Sequence, residues 1–167
     1  MLIVIGGLPG TGKTTIARVL CRRIGGVHLR IDTIEQALRA SSMLAAEVGP
    51  AGYLVACDLA ADNLRVGRTV IADCVNPLTV TRAAWRATAS AAQAAIIEVE
   101  IVCSDAARHR ERIETRRSDI AGLRLPGWDD VQRREYDRWD RPPVVLDTAS
   151  LSPEQAVADL LLRLPRL

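Results

Sequence analysis

Phenylalanine is absent from this chain, and all aromatic residues together make up 3% of it. That scarcity makes Tyr53, Trp128, Tyr136 and Trp139 conspicuous, although such residues more often pack than bind. Cysteine is sparse and scattered: Cys21, Cys57, Cys74 and Cys103 form no C-x-x-C pair, which excludes a disulfide framework or thiolate metal site and leaves reduced thiols as the default. The two histidines, His28 and His109, have no partner set that suggests a metal or a nucleophile-base pair, and no role is assigned to them. No long apolar run is present. Met1 to Ile5 leads straight into glycines, which rules out a signal-peptide core or a membrane span and predicts a cytoplasmic protein. Charge of one sign is also lacking: a formal +2 is too small a basic excess to indicate a nucleic-acid partner. The most informative scarcity is lysine. Lys13 is the only one, and the other 21 basic positions are arginine.

With 49% hydrophobic and 25% charged residues over 167 positions, the chain has the composition of one globular domain, taken as residues 1–167. Strand-like runs at Leu2 to Ile5, Val27 to Ile31, Thr69 to Ala72, Ile96 to Cys103 and Val144 to Leu146 alternate with helical stretches. That alternation predicts an α/β fold with a parallel sheet and crossover helices. A first helix, Thr14 to Ile24, stops at Gly25-Gly26, and another, about Ala51 to Arg65, stops near Gly67. Ser152-Pro153-Glu154-Gln155 supplies an N-cap, a first-turn proline and a capping-box glutamine for a last helix reaching about Leu164. Ser118 to Trp128 has no clear periodicity and reads as a mobile loop.

The chemistry starts at Gly7-Leu8-Pro9-Gly10-Thr11-Gly12-Lys13-Thr14, a G-x-x-x-x-G-K-T spacing between a hydrophobic strand and a helix. Backbone N–H groups freed by the glycines, and the helix N-terminus, suit the phosphates of ATP or GTP. Lys13 reaches the β/γ-phosphates, and the Thr14 hydroxyl can ligate Mg²⁺, with Thr15 beside it. Retaining an ammonium at this one position fits a phosphate cradle, where a compact charge on a flexible stem serves better than a planar fork.

Ligands of open parallel sheets sit beyond the carboxyl ends of the strands. Asp73 follows Val70-Ile71-Ala72, where it either holds Mg²⁺, orients an acceptor or caps a helix. Asp32 ends the second strand and is read as the base, or holder, of a substrate hydroxyl; Asp32-Thr33-Ile34-Glu35 equally reads as an N-cap with a capping-box glutamate. Arg108, Arg112 and Arg116 share a helical face that either faces the nucleotide and the transition-state charge or, paired with Glu111 and Glu114, is a solvated surface. Of these, Arg112 is assigned to the nucleotide and Arg116 to catalysis. Tyr53, Asn76 and Arg82 are candidate acceptor contacts.

On these residues the chain resembles small P-loop kinases of the nucleoside monophosphate kinase-like superfamily, specifically the group of chloramphenicol phosphotransferase, polynucleotide 5′-kinase and zeta toxins, with their uncharacterised ATP-binding relatives. Gly52-Tyr53, Asp62-Asn63-Leu64, Asp73 to Pro77, Thr81-Arg82 and Leu146-Asp147-Thr148 add to the likeness, which spans nearly the whole chain. It implies a three-layer fold with a five-stranded parallel sheet of order 2-3-1-4-5, a lid at about 105–138, Asp32 as base and Arg112 and Arg116 as lid arginines. The characteristic acceptor-binding segments of adenylylsulfate kinase are not found. The implied activity is ATP- and Mg²⁺-dependent transfer to a hydroxyl of a small molecule. Transfer to a polynucleotide 5′ end, or a nucleotide-dependent switch or binding ATPase, remain alternatives; the sequence sets neither the acceptor nor the oligomeric state.

Overall fold

The computed structural model describes residues 1–41 and 47–165. Residues 42–46 lie outside them. In chain order the elements are β1 (Leu2–Gly6), α1 (Lys13–Ile24), β2 (Val27–Arg30), α2 (Ile31–Ala40), α3 (Ala51–Arg65), β3 (Val70–Asp73), α4 (Thr79–Ala91), β4 (Ile96–Val102), α5 (Ala106–Thr115), α6 (Trp128–Gln132), β5 (Val144–Asp147) and α7 (Pro153–Arg163). The five strands are parallel and ordered β2-β3-β1-β4-β5, the order of the P-loop fold.

The central strand β1 shows why the sheet needs helices on both sides. Side chains alternate across a strand, and all five β1 residues are buried. Ile3 and Ile5 enter one core with Ile16 and Leu20 of α1 and Val157 and Leu160 of α7. Leu2 and Val4 enter the other with Ala56, Ala60 and Leu64 of α3 and Trp85 of α4. Each buried Leu, Ile or Val contributes about 1.5–3 kcal/mol, so a chain without phenylalanine fills both layers with aliphatic side chains and one indole. Among the described residues no helix is long and apolar enough to cross a membrane.

Helix ends follow the local chemistry. The Gly25 N–H reaches the Cys21 carbonyl at 2.9 Å from a left-handed conformation that closes α1. Ser152 and Gln155 form the reciprocal capping box that opens α7. The second strand is shorter than its apolar run suggested. Ile31 opens α2 directly, with Arg30 in extended conformation as N-cap and no side-chain cap. The capping-box reading of Asp32 is therefore corrected: Asp32 lies inside the first turn, and Glu35 pairs with Arg39 at 3.1 Å. Its charge still meets the positive end of the helix.

Two candidate acceptor contacts are also corrected here. Arg82 is 0% exposed. Its guanidinium donates to the carbonyls of Asn76, Pro77, Asp137 and Arg138 at 2.9–3.2 Å and lies 4.0 Å over the Trp139 ring, tying the segment after α6 to α4. Asn76 is likewise 0% exposed, with a left-handed backbone (φ 50°), and it lies off the cleft described below. Its N–H donates to the Tyr53 hydroxyl at 3.0 Å.

If Arg82 is such a tie, Arg82→Ala strands four carbonyls at once and should lower stability by about 3–5 kcal/mol. Arg82→Lys, which lacks the fork, should recover less than half of that. Urea unfolding measures both, and an unchanged midpoint for Arg82→Ala would contradict the assignment.

Candidate active site

The loop between β1 and α1 is shaped by three left-handed glycines, Gly7, Gly10 and Gly12. At two of them the space is also closed. A Cβ on Gly7 would sit 2.2 Å from the Ile101 carbonyl oxygen, and one on Gly10 would sit 2.5 Å from the Ile113 Cδ1. Only glycine satisfies both demands. The loop folds around the Leu8 carbonyl, which accepts from the Lys13 ammonium at 2.8 Å and the Thr11 hydroxyl at 2.9 Å. Gly7 and Thr11 are thus buried in the body of the loop, whereas Pro9, Gly10, Gly12, Lys13, Thr14 and Thr15 face the cleft.

Three supports from other elements hold this loop. His109 of α5, to which the sequence assigned no role, is buried and donates through Nε2 to the Pro9 carbonyl at 2.7 Å. Trp128 of α6 meets the His109 ring edge-on, with centroids 5.2 Å apart. Thr148, after β5, lies with its hydroxyl 2.8 Å from the Thr11 carbonyl and 3.1 Å from that of Val102, and it accepts from Arg112 at 2.7 Å. Arg112 therefore lines the cleft while its fork braces the last loop, with a second bond to the Thr148 carbonyl at 3.0 Å.

The cleft has a volume of about 1110 Å³, just above the roughly 300–1,000 Å³ usual for a small-ligand site. Lys13, Asp32, Asp73, Tyr53 and Arg116 line it together with the phosphate loop. Lys13 is 9% exposed, and burial pulls its ammonium below the ordinary lysine pKa, against the opposing fields of Asp73 and then Asp32. Desolvation likewise pulls down Arg116, offset by Asp32; its Nη2 donates to the Pro126 carbonyl at 2.9 Å while its buried Nε has no partner. Tyr53 closes one wall, its phenol pushed up by burial and so neutral.

Asp73 is 3% exposed at the end of β3, in register with Ile5 of β1 and Arg30 of β2. Its Oδ2 lies 3.2 Å from His28 Nε2 and 4.0 Å from Arg30 Nε. Asp32, with a 51% exposed side chain, is 3.9 Å from Arg30 Nη2. Asp119, in the loop after α5, accepts from Arg30 Nη1 at 2.9 Å and also from Arg18 of α1. Hydrogen bonds from Arg18 and then Arg30 hold its carboxyl down at about 2, so it is ionised throughout the physiological range. His28, Arg30, Arg18 and Asp119 were missed from sequence. Strand alternation puts His28 and Arg30 on one side of β2, a signal that was available; Asp119 sits in aperiodic chain and gave none.

Among the described residues no group of three or more His, Cys, Asp or Glu is arranged for a metal. One hydroxyl and one carboxylate, Thr14 and Asp73, suit a hard cation that keeps water and phosphate oxygens for its other positions. The residues therefore fit Mg²⁺ delivered with a nucleotide.

A sequence model described as an AAA domain matches residues 2–126. No curated protein matches the sequence. Among solved structures, a putative kinase from Chloroflexus aurantiacus is similar with a TM-score of 0.73 and 18% identity, covering 97% of this chain and 94% of that one. Kti12 from Chaetomium thermophilum, in complex with ADP-AlF3, gives 0.71 and 21%, covering 96% and 97%. The APS kinase of Mycobacterium tuberculosis, in complex with AMPPNP and APS, gives 0.71 and 17%, covering 96% and 94%. At these identities the likeness establishes the fold, the P-loop arrangement of a five-stranded parallel sheet in the order 2-3-1-4-5.

Because Thr148 links the phosphate loop, β4 and Arg112, Thr148→Val, which keeps the shape and removes the hydroxyl, should lower stability by about 1–2 kcal/mol. It should also weaken Mg·ADP binding several-fold. Thermal unfolding and calorimetric titration check this; unchanged nucleotide affinity would mean the loop holds its shape without that hydroxyl.

Proposed function

This chain belongs to the AAA domain family, and we propose that it is a phosphotransferase moving the γ-phosphoryl group of ATP to a hydroxyl of a small molecule, with Mg²⁺ as cofactor. The observation that carries the reading is one cleft lined together by the phosphate loop, Lys13, Asp73, Arg116 and the solvent-accessible carboxylate Asp32. A half-exposed carboxylate in the same cleft as the phosphate-loop lysine supplies what phosphoryl transfer to a hydroxyl needs besides nucleotide binding. Two of the similar structures carry AMPPNP or ADP-AlF3, which supports a nucleotide on the same loop here.

In this reading the phosphate loop and Lys13 bind the triphosphate, and Thr14 and Asp73 would hold Mg²⁺, which when bound would neutralise phosphate charge. Asp32 orients the acceptor hydroxyl in line with the γ-phosphorus. As the new O–P bond forms and the bond to the β-γ bridging oxygen breaks, the hydroxyl proton passes to the Asp32 carboxylate, and ADP leaves with the bridging oxygen. Lys13 and Arg116 stabilise the charge that builds on the transferring group and the leaving oxygen, the buried Lys13 more strongly than the half-buried Arg116 because burial has removed most of its water. His28 holds Asp73 from behind, so that the carboxylate keeps one orientation.

Asp32→Asn should reduce acceptor-dependent ADP release by roughly 10²–10⁴-fold while nucleotide affinity changes less than twofold. A screen of hydroxylated metabolites with Mg·ATP, run for both proteins beside calorimetric nucleotide titration, tests it. Equal loss of binding and turnover would remove Asp32 from the chemistry. ADP release that no acceptor accelerates would point to a nucleotide switch instead.

A further inference from the structure

The walls of the cleft are much more basic than the chain. They carry nine Lys or Arg against four Asp or Glu, in a protein whose formal net charge is only +2. Some of this excess meets the triphosphate, whose charge a metal partly cancels. The remainder includes Arg18 and Arg30, on the side of the cleft where Asp32 stands.

Arg30 is the pivot. Its side chain is 13% exposed, its Nη2 is 3.9 Å from Asp32 and its Nε is 4.0 Å from Asp73, buried and without a hydrogen-bond partner. The remaining nitrogen, Nη1, is taken by both oxygens of Asp119, at 2.9 and 3.0 Å, and Arg18 holds the same carboxylate from α1. Asp119 reaches in from a loop otherwise held there by few polar ties: Arg116 on Pro126, and Ser118 bonded only to its own neighbour Ile120. Two arginines from separate elements converging on one planar oxyanion, with one of them also beside the candidate base, make a recognition site for a carboxylate or phosphate. In this structure a loop residue fills it.

We propose that Arg18 and Arg30 bind an anionic group of the acceptor, and that Asp119 is an internal stand-in which occupies this site until the acceptor displaces it. The identity of the ligand as the acceptor rests on the phosphotransferase reading; the anion site itself does not. Because one guanidinium faces both Asp32 and the bound carboxylate, the acceptor carries its oxyanion only a few bonds from the reacting hydroxyl, as in a hydroxy acid or a phosphorylated polyol. Displacing Asp119 also frees its loop, so the acceptor trades one ion pair for another and apparent affinity is reduced by the fraction of molecules in which Asp119 is bound.

The probe is inorganic phosphate, titrated calorimetrically into protein whose phosphate loop is saturated with Mg·ADP. Wild type should bind it weakly and Asp119→Asn at least fivefold more tightly, and that gain should vanish when Arg18→Gln or Arg30→Gln is added. Retained Mg·ADP binding certifies each variant's fold, and if the Arg30 variant does not fold, the Arg18 variant carries the same test. Equal phosphate affinity in wild type and Asp119→Asn, or a gain that survives loss of both arginines, overturns the proposal. In a second arm, hydroxy acids, phosphorylated polyols and neutral polyols of matched skeleton are compared as acceptors. One anionic class should be turned over, identifying carboxylate or phosphate, with kcat/KM falling at least tenfold in Arg30→Gln. Neutral polyols turned over equally well would overturn the anion site as an acceptor site yet leave phosphotransfer standing. Phosphate captured by the arginines with no acceptor-stimulated, Asp32-dependent ADP release would do the reverse.

Discussion

The backbone of Gly7 passes so close to β4 that no side chain fits, since a Cβ there would lie 2.2 Å from the Ile101 oxygen and 3.2 Å from its carbonyl carbon. This approach sets the direction in which the chain leaves β1. The Gly7 N–H is turned to the Val75 carbonyl at 3.0 Å, joining the end of β1 to the segment after β3, and the next carbonyl, Leu8, points inward. Lys13 and Thr11 then converge on that carbonyl. The ammonium is held under the loop with its aliphatic stem buried, and the fields of Asp73 and then Asp32 supplement what the Leu8 oxygen alone supplies. Everything else packed on the loop, His109 on Pro9, Ile113 against Gly10 and Thr148 on Thr11, preserves a shape that begins with the missing Cβ.

Strand order turns this local shape into a two-sided site. The first crossover carries the chain from β1 through α1 to β2, and β3 then enters between them. Parallel register brings the ends of three strands level, so Ile5, Asp73 and Arg30 stand in one row. The phosphate loop lies on one side of that row and α2, with Asp32 in its first turn, on the other. A carboxylate inside a first helical turn is stabilised as an anion without a specific cap. Asp32, its side chain half exposed, faces the cleft from that turn beside Arg30.

Much of the fold was legible because it depends on local signals that act independently: apolar runs of strand length, glycine stops at Gly25 and Gly67, and the capping box at Ser152. The phosphate loop was legible for the same reason, as one contiguous string with a strand before and a helix after. What failed were readings that needed a partner distant in sequence. Arg82 read as a candidate ligand contact because an arginine carries no mark of burial, yet its acceptors are backbone carbonyls up to 56 residues away. His28 and His109 were set aside for want of a metal pattern, although each needs only a single acceptor, Asp73 or the Pro9 carbonyl, to position a loop or carboxylate. The strand-to-helix junction at Arg30-Ile31 was misplaced because Ile31 is buried in either element, and hydrophobicity alone does not choose between them.

The bias toward arginine then acquires a physical reading. Its planar, multiply donating head lets one side chain bind several acceptors at once, and three of these arginines do so within the walls. Arg82 gathers four carbonyls, Arg86 bridges Glu98 and Asp140, and Arg112 clasps Thr148 twice. Such forks are spent on structure. Arg30 and Arg116 differ, because each keeps a buried Nε with no partner while facing the cleft. A buried donor left open costs free energy that the fold recovers only when an acceptor arrives. Cross-linking arginines thus tie the walls together while the incompletely paired ones face the cleft, and the single lysine, with neither the width nor the rigidity of a fork, sits in the phosphate loop, where a compact charge on a flexible stem suits a backbone cradle.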